Sequence, residues 1–168
     1  DGKDVWKVNE ESRKVGDFFG SWSTPTIAEV KGQTQLVMSW PAVVKAYTPD
    51  KGEQLWSAHG LEKDGAKDRL TYTSPLVTRD NVVAMAGFGG AAIGLKTGGT
   101  GDLTDSNRLW RTGRNPQRIG SGVIVGDYIY AVNEPGLVCL ELKTGKEVWN
   151  EKLGKAWSSI VLAEGKLY

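Results

Sequence analysis

Residues 136–149 read GLVCLELKTGKEVW. Leu137, Val138, Leu140 and Leu142 form an apolar run, Lys143-Thr144-Gly145 a turn, and a second short run ends on Trp149. Strand formers on both sides of a glycine turn describe a hairpin. The phrase recurs along the chain. Gly2 and Gly52 stand four residues ahead of Trp6 and Trp56, as Gly145 stands ahead of Trp149. Leu95-Lys96-Thr97-Gly98 repeats the turn, but its tryptophan, Trp110, follows only after extra residues.

A second marker precedes each phrase. Ser23-Thr24-Pro25, Thr73-Ser74-Pro75, Gly120-Ser121-Gly122 and Ser158-Ser159 each lead into an apolar run. The interval from Pro75 to Gly98 is 23 residues, and from Gly122 to Gly145 it is 23 again; from Pro25 to Gly52 it is 27. Each unit reads as four short strands. The third has them at 123–125, 128–132, 137–142 and 147–149, with turns at Gly126-Asp127 and Asn133-Glu134-Pro135-Gly136. The second repeats this at 76–78, 82–86 and 91–95, and the first at 26–30, 35–40, 43–47 and 54–56. At the ends, residues 4–8 read as the last strand of one further unit, and 158–163 with 166–168 as the first two strands of another. No window sustains a helical apolar period. Tandem four-stranded units of this length are the signature of an all-β propeller.

Composition agrees with many short strands. Among 168 residues there are 22 glycines and 7 tryptophans, the first for tight turns and the second for large apolar contacts. Basic and acidic residues nearly cancel, 21 against 20, so the basic footprint of a nucleic-acid binder is missing. One cysteine, Cys139, excludes an internal disulfide, and one histidine, His59, excludes a histidine-pair metal motif. No apolar run reaches the roughly 18 residues of a membrane helix.

The phrase LELKTGKEVW at 140–149, with GDYIY at 126–130 before it, resembles the repeat of pyrroloquinoline-quinone (PQQ)-type propellers. That superfamily holds quinoprotein alcohol dehydrogenases and non-catalytic, BamB-like relatives. The resemblance covers nearly the whole chain, with a departure after Gly98. It implies a single propeller domain over 1–168, part of a larger ring of four-stranded antiparallel blades. The blades would span 21–56, 71–110 and 118–149, with the end of a blade at 1–8 and the start of one at 157–168. Such an arc exposes apolar faces at both ends, so self-association or poor solubility is expected.

The resemblance also assigns roles. Trp6, Trp56, Trp110 and Trp149 would dock between blades, and Gly52 and Gly145 share that structural role. A second series, Trp22, Tyr72, Ile119 and Trp157, stands two residues before the middle of each Ser/Thr marker. In the family the following strand lines the central channel, which places these residues at its mouth with Arg118 beside them. Two readings stand: a packed collar closing the ring's narrow end, or an aromatic mouth for a planar cofactor or peptide.

Asp102, Asp105 and Asn107 in the insertion are weak oxygen-ligand candidates for calcium, and their spacing is not that of an EF-hand. Gly87-Phe88-Gly89-Gly90 suggests a phosphate loop, but no helix follows it. Cys139 falls in an apolar strand as a small buried hydrophobe, and His59 opens an exposed polar connection to Leu70.

No nucleophile, base and orienting group stand together. The favoured function is therefore a non-catalytic module of a secreted or periplasmic bacterial protein, binding a protein or polymer through a propeller face. No cofactor is expected. The alternative is a fragment of a PQQ-dependent alcohol or sugar dehydrogenase, and only that reading brings PQQ and calcium. Against it, quinoproteins of the family commonly carry adjacent disulfide-bonded cysteines, whereas Cys139 stands alone.

Overall fold

The computed structural model describes residues 2–9, 20–62, 70–115, 117, 119–132, 136–154 and 156–168. Five strands come first: β1 (Gly20–Ser21), β2 (Thr26–Val30), β3 (Gln33–Trp40), β4 (Val43–Tyr47) and β5 (Gln54–His59). β6 (Leu70–Thr71), β7 (Leu76–Val77), β8 (Asn81–Met85), β9 (Ala92–Lys96), β10 (Gly101–Asp102) and β11 (Arg108–Thr112) form the middle. The last six are β12 (Val123–Val125), β13 (Tyr128–Val132), β14 (Gly136–Glu141), β15 (Glu147–Lys152), β16 (Leu162–Ala163) and β17 (Lys166–Leu167). Among the described residues there is no helix.

β2-β3-β4-β5, β7-β8-β9-β11 and β12-β13-β14-β15 are three antiparallel meanders, each hydrogen-bonded in chain order. Their first strands lie side by side, β2 against β7 and β7 against β12. This is an arc of propeller blades, a partial ring, with the short hairpin β16–β17 following the third sheet.

Pleating explains how the middle sheet joins its neighbours. Alternate residues point to opposite faces, so Val82 and Ala84 of β8 with Ile93 and Leu95 of β9 pack toward the first sheet. There they meet Val37, Val44, Ala46, Trp56 and Ala58. The intervening Val83, Met85 and Ala92 pack toward the third, against Ile129, Ala131, Val138 and Leu140. A strand covered on both faces needs a continuous apolar run, which is what Val82-Val83-Ala84-Met85 supplies.

Three expectations need correction. The first sheet has five strands, because β10 pairs in parallel with β5, Gly101 opposite Trp56 and Asp102 opposite Ser57. The departure after Gly98 is thus a strand laid on the preceding blade's outer edge. Its Leu103 is buried in the first core, and the Leu103 N–H donates to the Ser57 carbonyl at 2.8 Å. Residues 4–8 form no strand. They are held instead through Trp6, whose Nε1–H donates to the Pro49 carbonyl at 2.8 Å. Of residues 158–163 only Leu162 and Ala163 are strand, because Ser159 and Ile160 bond sideways to Ser121 of the third blade.

Candidate functional site: an aromatic row at the inner edge

The Ser/Thr markers tie the inner strands together. The Thr24 N–H donates to Ser74 Oγ at 2.9 Å, the Ser74 N–H to Ser121 Oγ at 2.9 Å, and the Ser121 N–H to Ser159 Oγ at 3.0 Å. Each unit therefore lends a hydroxyl to the backbone of the unit before it. The repeat of the marker has a physical cause: an N–H at the blade junction needs an acceptor, and a short hydroxyl side chain reaches it.

This ladder sets the spacing of the residues two positions upstream. Trp22 and Tyr72 stack with ring centroids 5.0 Å apart and planes 6° from parallel. Tyr72 meets Phe88 at 4.7 Å, and Phe88 meets Trp157 edge-on at 6.3 Å. Trp22, Tyr72 and Trp157 are thus brought into one row. Ile119 is half-buried and contributes no ring. Phe88 bridges Tyr72 and Trp157 in its place, a residue that sequence reasoning missed. Arg118 lies outside the described residues.

Phe88 reaches this position through an unusual backbone. Its φ is 48°, between Gly87 at 86° and Gly89 at 72°. A non-glycine residue in the left-handed region costs about 1–2 kcal/mol, so the surroundings must hold it. The buried Asn115 does so: its N–H and Nδ2 both donate to the Gly90 carbonyl, at 2.8 and 2.7 Å, and Nδ2 also reaches Ala91 at 3.1 Å. Gln117, also buried, accepts the Gly89 N–H at its carbonyl. The glycine-rich turn is a mount for an aromatic ring, not an anion cradle. The signal for it was an aromatic residue alone among three glycines. Trp22, Phe88 and Trp157 remain 53%, 41% and 54% exposed, so the row is open to solvent on one side.

The tryptophans that end the units divide into three situations. Trp6 lies on Gly52, where a Cβ would come within 2.5 Å of its ring, and Trp110 lies on Gly145, where a Cβ would come within 2.6 Å. Both glycines have positive φ, 69° and 67°. In both pairs the indole Nε1–H donates to the carbonyl three residues before the glycine, Pro49 at 2.8 Å and Leu142 at 2.7 Å. Trp56 is buried, but its Nε1–H donates to Gln35 Oε1 at 2.9 Å within its own sheet. At Gly98 the nearest side chain is Lys31. Trp149 stays 37% exposed, beside Tyr130 at 6.0 Å.

In the insertion, Asp102 accepts the Thr104 N–H at 2.8 Å, and the Thr104 side chain holds its carboxyl below the usual carboxylate range. Thr104 Oγ1 in turn accepts the His59 N–H at 3.0 Å. His59 is exposed, at the end of β5. Asn107 directs amide donors to the Lys96 and Gly98 carbonyls, at 3.0 and 2.6 Å, and its oxygen pairs with the Ser106 hydroxyl. These groups close the loop and seat it on β5. Among the described residues no three His, Cys, Asp or Glu side chains are grouped to hold a metal. Cys139 is buried opposite Tyr130, and burial pushes its thiol pKa up.

Among curated proteins none matches the chain. Solved structures do. BamB from Moraxella catarrhalis is similar over 98% of this chain and 45% of its own, at 14% identity and a TM-score of 0.65. Quinohemoprotein alcohol dehydrogenase ADHIIG from Pseudomonas putida HK5 is similar over 78% of this chain and 20% of its own, at 17% identity and a TM-score of 0.54. The quinohemoprotein alcohol dehydrogenase of Comamonas testosteroni gives 78% and 21%, 16% identity and 0.52. The chain thus spans less than half the length of each of these structures, and at such identities the likeness is one of fold. The family described as outer membrane protein assembly factor BamB matches residues 1–151 and again 99–168. With every residue inside that match and the blades laid out as described, the chain belongs to this family of PQQ-like β-propeller repeat proteins.

Proposed function

We propose that the chain is a non-catalytic binding module of a bacterial envelope or secreted protein, and that it engages a protein segment through the Trp22–Tyr72–Phe88–Trp157 row. The observation that carries this reading is Phe88. It is held in a costly backbone conformation by the buried Asn115 side chain and the Gln117 carbonyl, yet it is 41% exposed. Strain kept at a solvent-facing ring is more easily understood as ligand contact than as packing. Open aromatic rows suit extended peptides, because flat rings give large contact area with few rotors to freeze. The family description, an outer membrane assembly factor, supports a protein partner and a periplasmic or extracellular setting. The nearly neutral charge does not suit nucleic acid. Among the described residues no helix is long and apolar enough to cross a membrane.

The competing reading, a piece of a PQQ-dependent dehydrogenase, draws on the fold likeness to the two quinohemoprotein enzymes. One experiment separates them. Random peptides displayed on phage are panned against the immobilised chain, and the same preparation is titrated with PQQ and calcium. The binding reading expects peptides that compete with one another and lose at least tenfold in affinity for Trp22→Ala and Trp157→Ala. Peptides indifferent to both substitutions, or PQQ-dependent alcohol oxidation, overturn it.

A further inference from the structure

A cation stands beside the aromatic row. Arg114, in the connection from β11 to β12, is exposed, and its side chain lies across Gly89, the residue after Phe88. A Cβ built on Gly89 would lie 3.4 Å from Arg114 Nε and 3.9 Å from its Cγ, so the arginine stem passes over this turn at contact distance. The backbone that carries the stem is fixed from the next residue, because Asn115 bonds Gly90 through its N–H and Nδ2, at 2.8 and 2.7 Å. One turn therefore positions both the Phe88 ring and the Arg114 charge. Among the described residues no group hydrogen-bonds or ion-pairs with the Arg114 guanidinium. The residues that flank the four rings in sequence are serine, threonine, glycine and alanine, all uncharged.

We propose that the polypeptide segment bound by the row carries an acidic side chain between two apolar ones, and that Arg114 is the partner of that carboxylate. The proposal rests on the reading of the row as a peptide site. Flat rings take apolar side chains, and a guanidinium pairs with a carboxylate through two parallel hydrogen bonds. The place of Arg114 selects an internal acidic residue over a chain-terminal carboxylate. It stands at Phe88, and rings continue on both sides, Tyr72 and Trp22 in one direction and Trp157 in the other. A ligand chain that ended there would leave one side of the row bare. The ring spacings of 5.0, 4.7 and 6.3 Å limit the row to about five residues of extended chain at roughly 3.3 Å each. Alternate side chains of an extended chain face the same way, so the first, third and fifth would meet the row: apolar, acidic, apolar.

The test uses acetylated, amidated pentapeptides with phenylalanine first and fifth, serine second and fourth, and glutamate, glutamine or lysine in the middle. Each is titrated into the intact chain, and binding is followed by NMR at the indole N–H signals of Trp22 and Trp157. The glutamate peptide should bind about fivefold more tightly than the glutamine peptide, the upper range for an exposed ion pair, and the lysine peptide should bind least. That preference should shrink as salt is raised. In Arg114→Gln the three peptides should bind alike, and in Arg114→Glu the lysine peptide should bind best. Arg114 is exposed, so neither substitution removes a core contact; circular dichroism checks that each variant keeps its sheet content. Peptides that shift both indoles with one affinity, whatever the middle residue, overturn this proposal and leave the peptide-binding reading standing. A glutamate preference that survives Arg114→Gln overturns it as well. If no pentapeptide binds, peptides recovered by panning take their place; recovered peptides without an acidic residue between apolar ones overturn the proposal, and recovery of none overturns both readings.

Discussion

Replacing Trp110 and Trp149 in turn by alanine tests whether sequence position or structural setting governs a tryptophan's contribution. Both residues close a repeat, and the sequence treats them alike. The structure does not. Trp110 is 8% exposed, with Gly94 of its own sheet on one side and Gly145 of the next on the other. Trp149 is 37% exposed. On an indole side chain of about 200 Å² that difference is about 60 Å², or roughly 1.5 kcal/mol of apolar burial. Trp110 also donates to the Leu142 carbonyl across the blade junction, and a hydrogen bond of this kind contributes about 1 kcal/mol. Finally, Trp110→Ala leaves a cavity between two sheets that cannot collapse fully, whereas Trp149→Ala opens onto solvent. Large-to-small changes of the first sort cost about 3–5 kcal/mol. Trp110→Ala should therefore destabilise by about 2–4 kcal/mol more than Trp149→Ala, a large share of a typical 5–15 kcal/mol. Urea unfolding followed by circular dichroism, with both variants run against the parent chain, measures the difference. Equal losses would refute the idea that the Gly94–Trp110–Gly145 sandwich joins the second and third sheets.

Two further outcomes follow from single sites. Gly145→Ala should cost about 2 kcal/mol or more in the same assay, since it adds both left-handed strain and a Cβ 2.6 Å from the Trp110 ring; an unchanged midpoint would contradict the packing. For Cys139, burial raises the folded thiol pKa above its unfolded value. Its contribution to stability should be complete below the unfolded value of about 8.5 and fall as pH rises through the folded one. Iodoacetamide labelling at mildly alkaline pH should accordingly be far slower in buffer than in denaturant, and equal rates would contradict it.

The blade strands were legible because glycine turns and strand formers are local signals. β2, β4, β12 and β13 fall where the alternation and the turns placed them, and the other blade strands within a few residues. The aromatic series was legible for the same reason, since Trp22, Tyr72 and Trp157 share a register with the Ser/Thr marker. What the sequence did not disclose depends on partners far along the chain. β10 is two residues of a glycine-rich insertion with no strand propensity; it is extended because β5 offers it an edge. Phe88 joins the row because Asn115 and Gln117, some 27 and 29 positions later, hold its turn. Residues 4–8 have a strand-like composition but make no strand pairing among the described residues, and pairing is what makes a strand.

The insertion after Gly98 also bears on the seam between the first and second sheets, where no indole lies on a glycine. Between the first and second sheets, backbone pairing and cations add to the apolar core the two sheets share. β10 extends the β5 edge, Arg108 Nη2 donates to the His59 carbonyl at 2.7 Å, and Arg111 donates to Gly60 and Glu62 at 2.9 and 2.6 Å. Gly60, at φ 124°, lets the chain pass close to Ile93 and Arg108 there. With Leu103 of the insertion filling the junction, the turn glycine of the second unit, Gly98, lies against Lys31 instead of an indole, and the Trp56 Nε1–H turns inward to Gln35. A family whose blades must join can thus exchange an apolar plug for a strand with charged clamps, because either one satisfies the same requirement: a small sheet cannot bury both of its faces alone. The exchange has a consequence for robustness. A plug depends on one side chain and one glycine, so a single substitution opens it. The clamped seam distributes the same task over a backbone pairing, two arginines and one leucine, and no single change among them removes it.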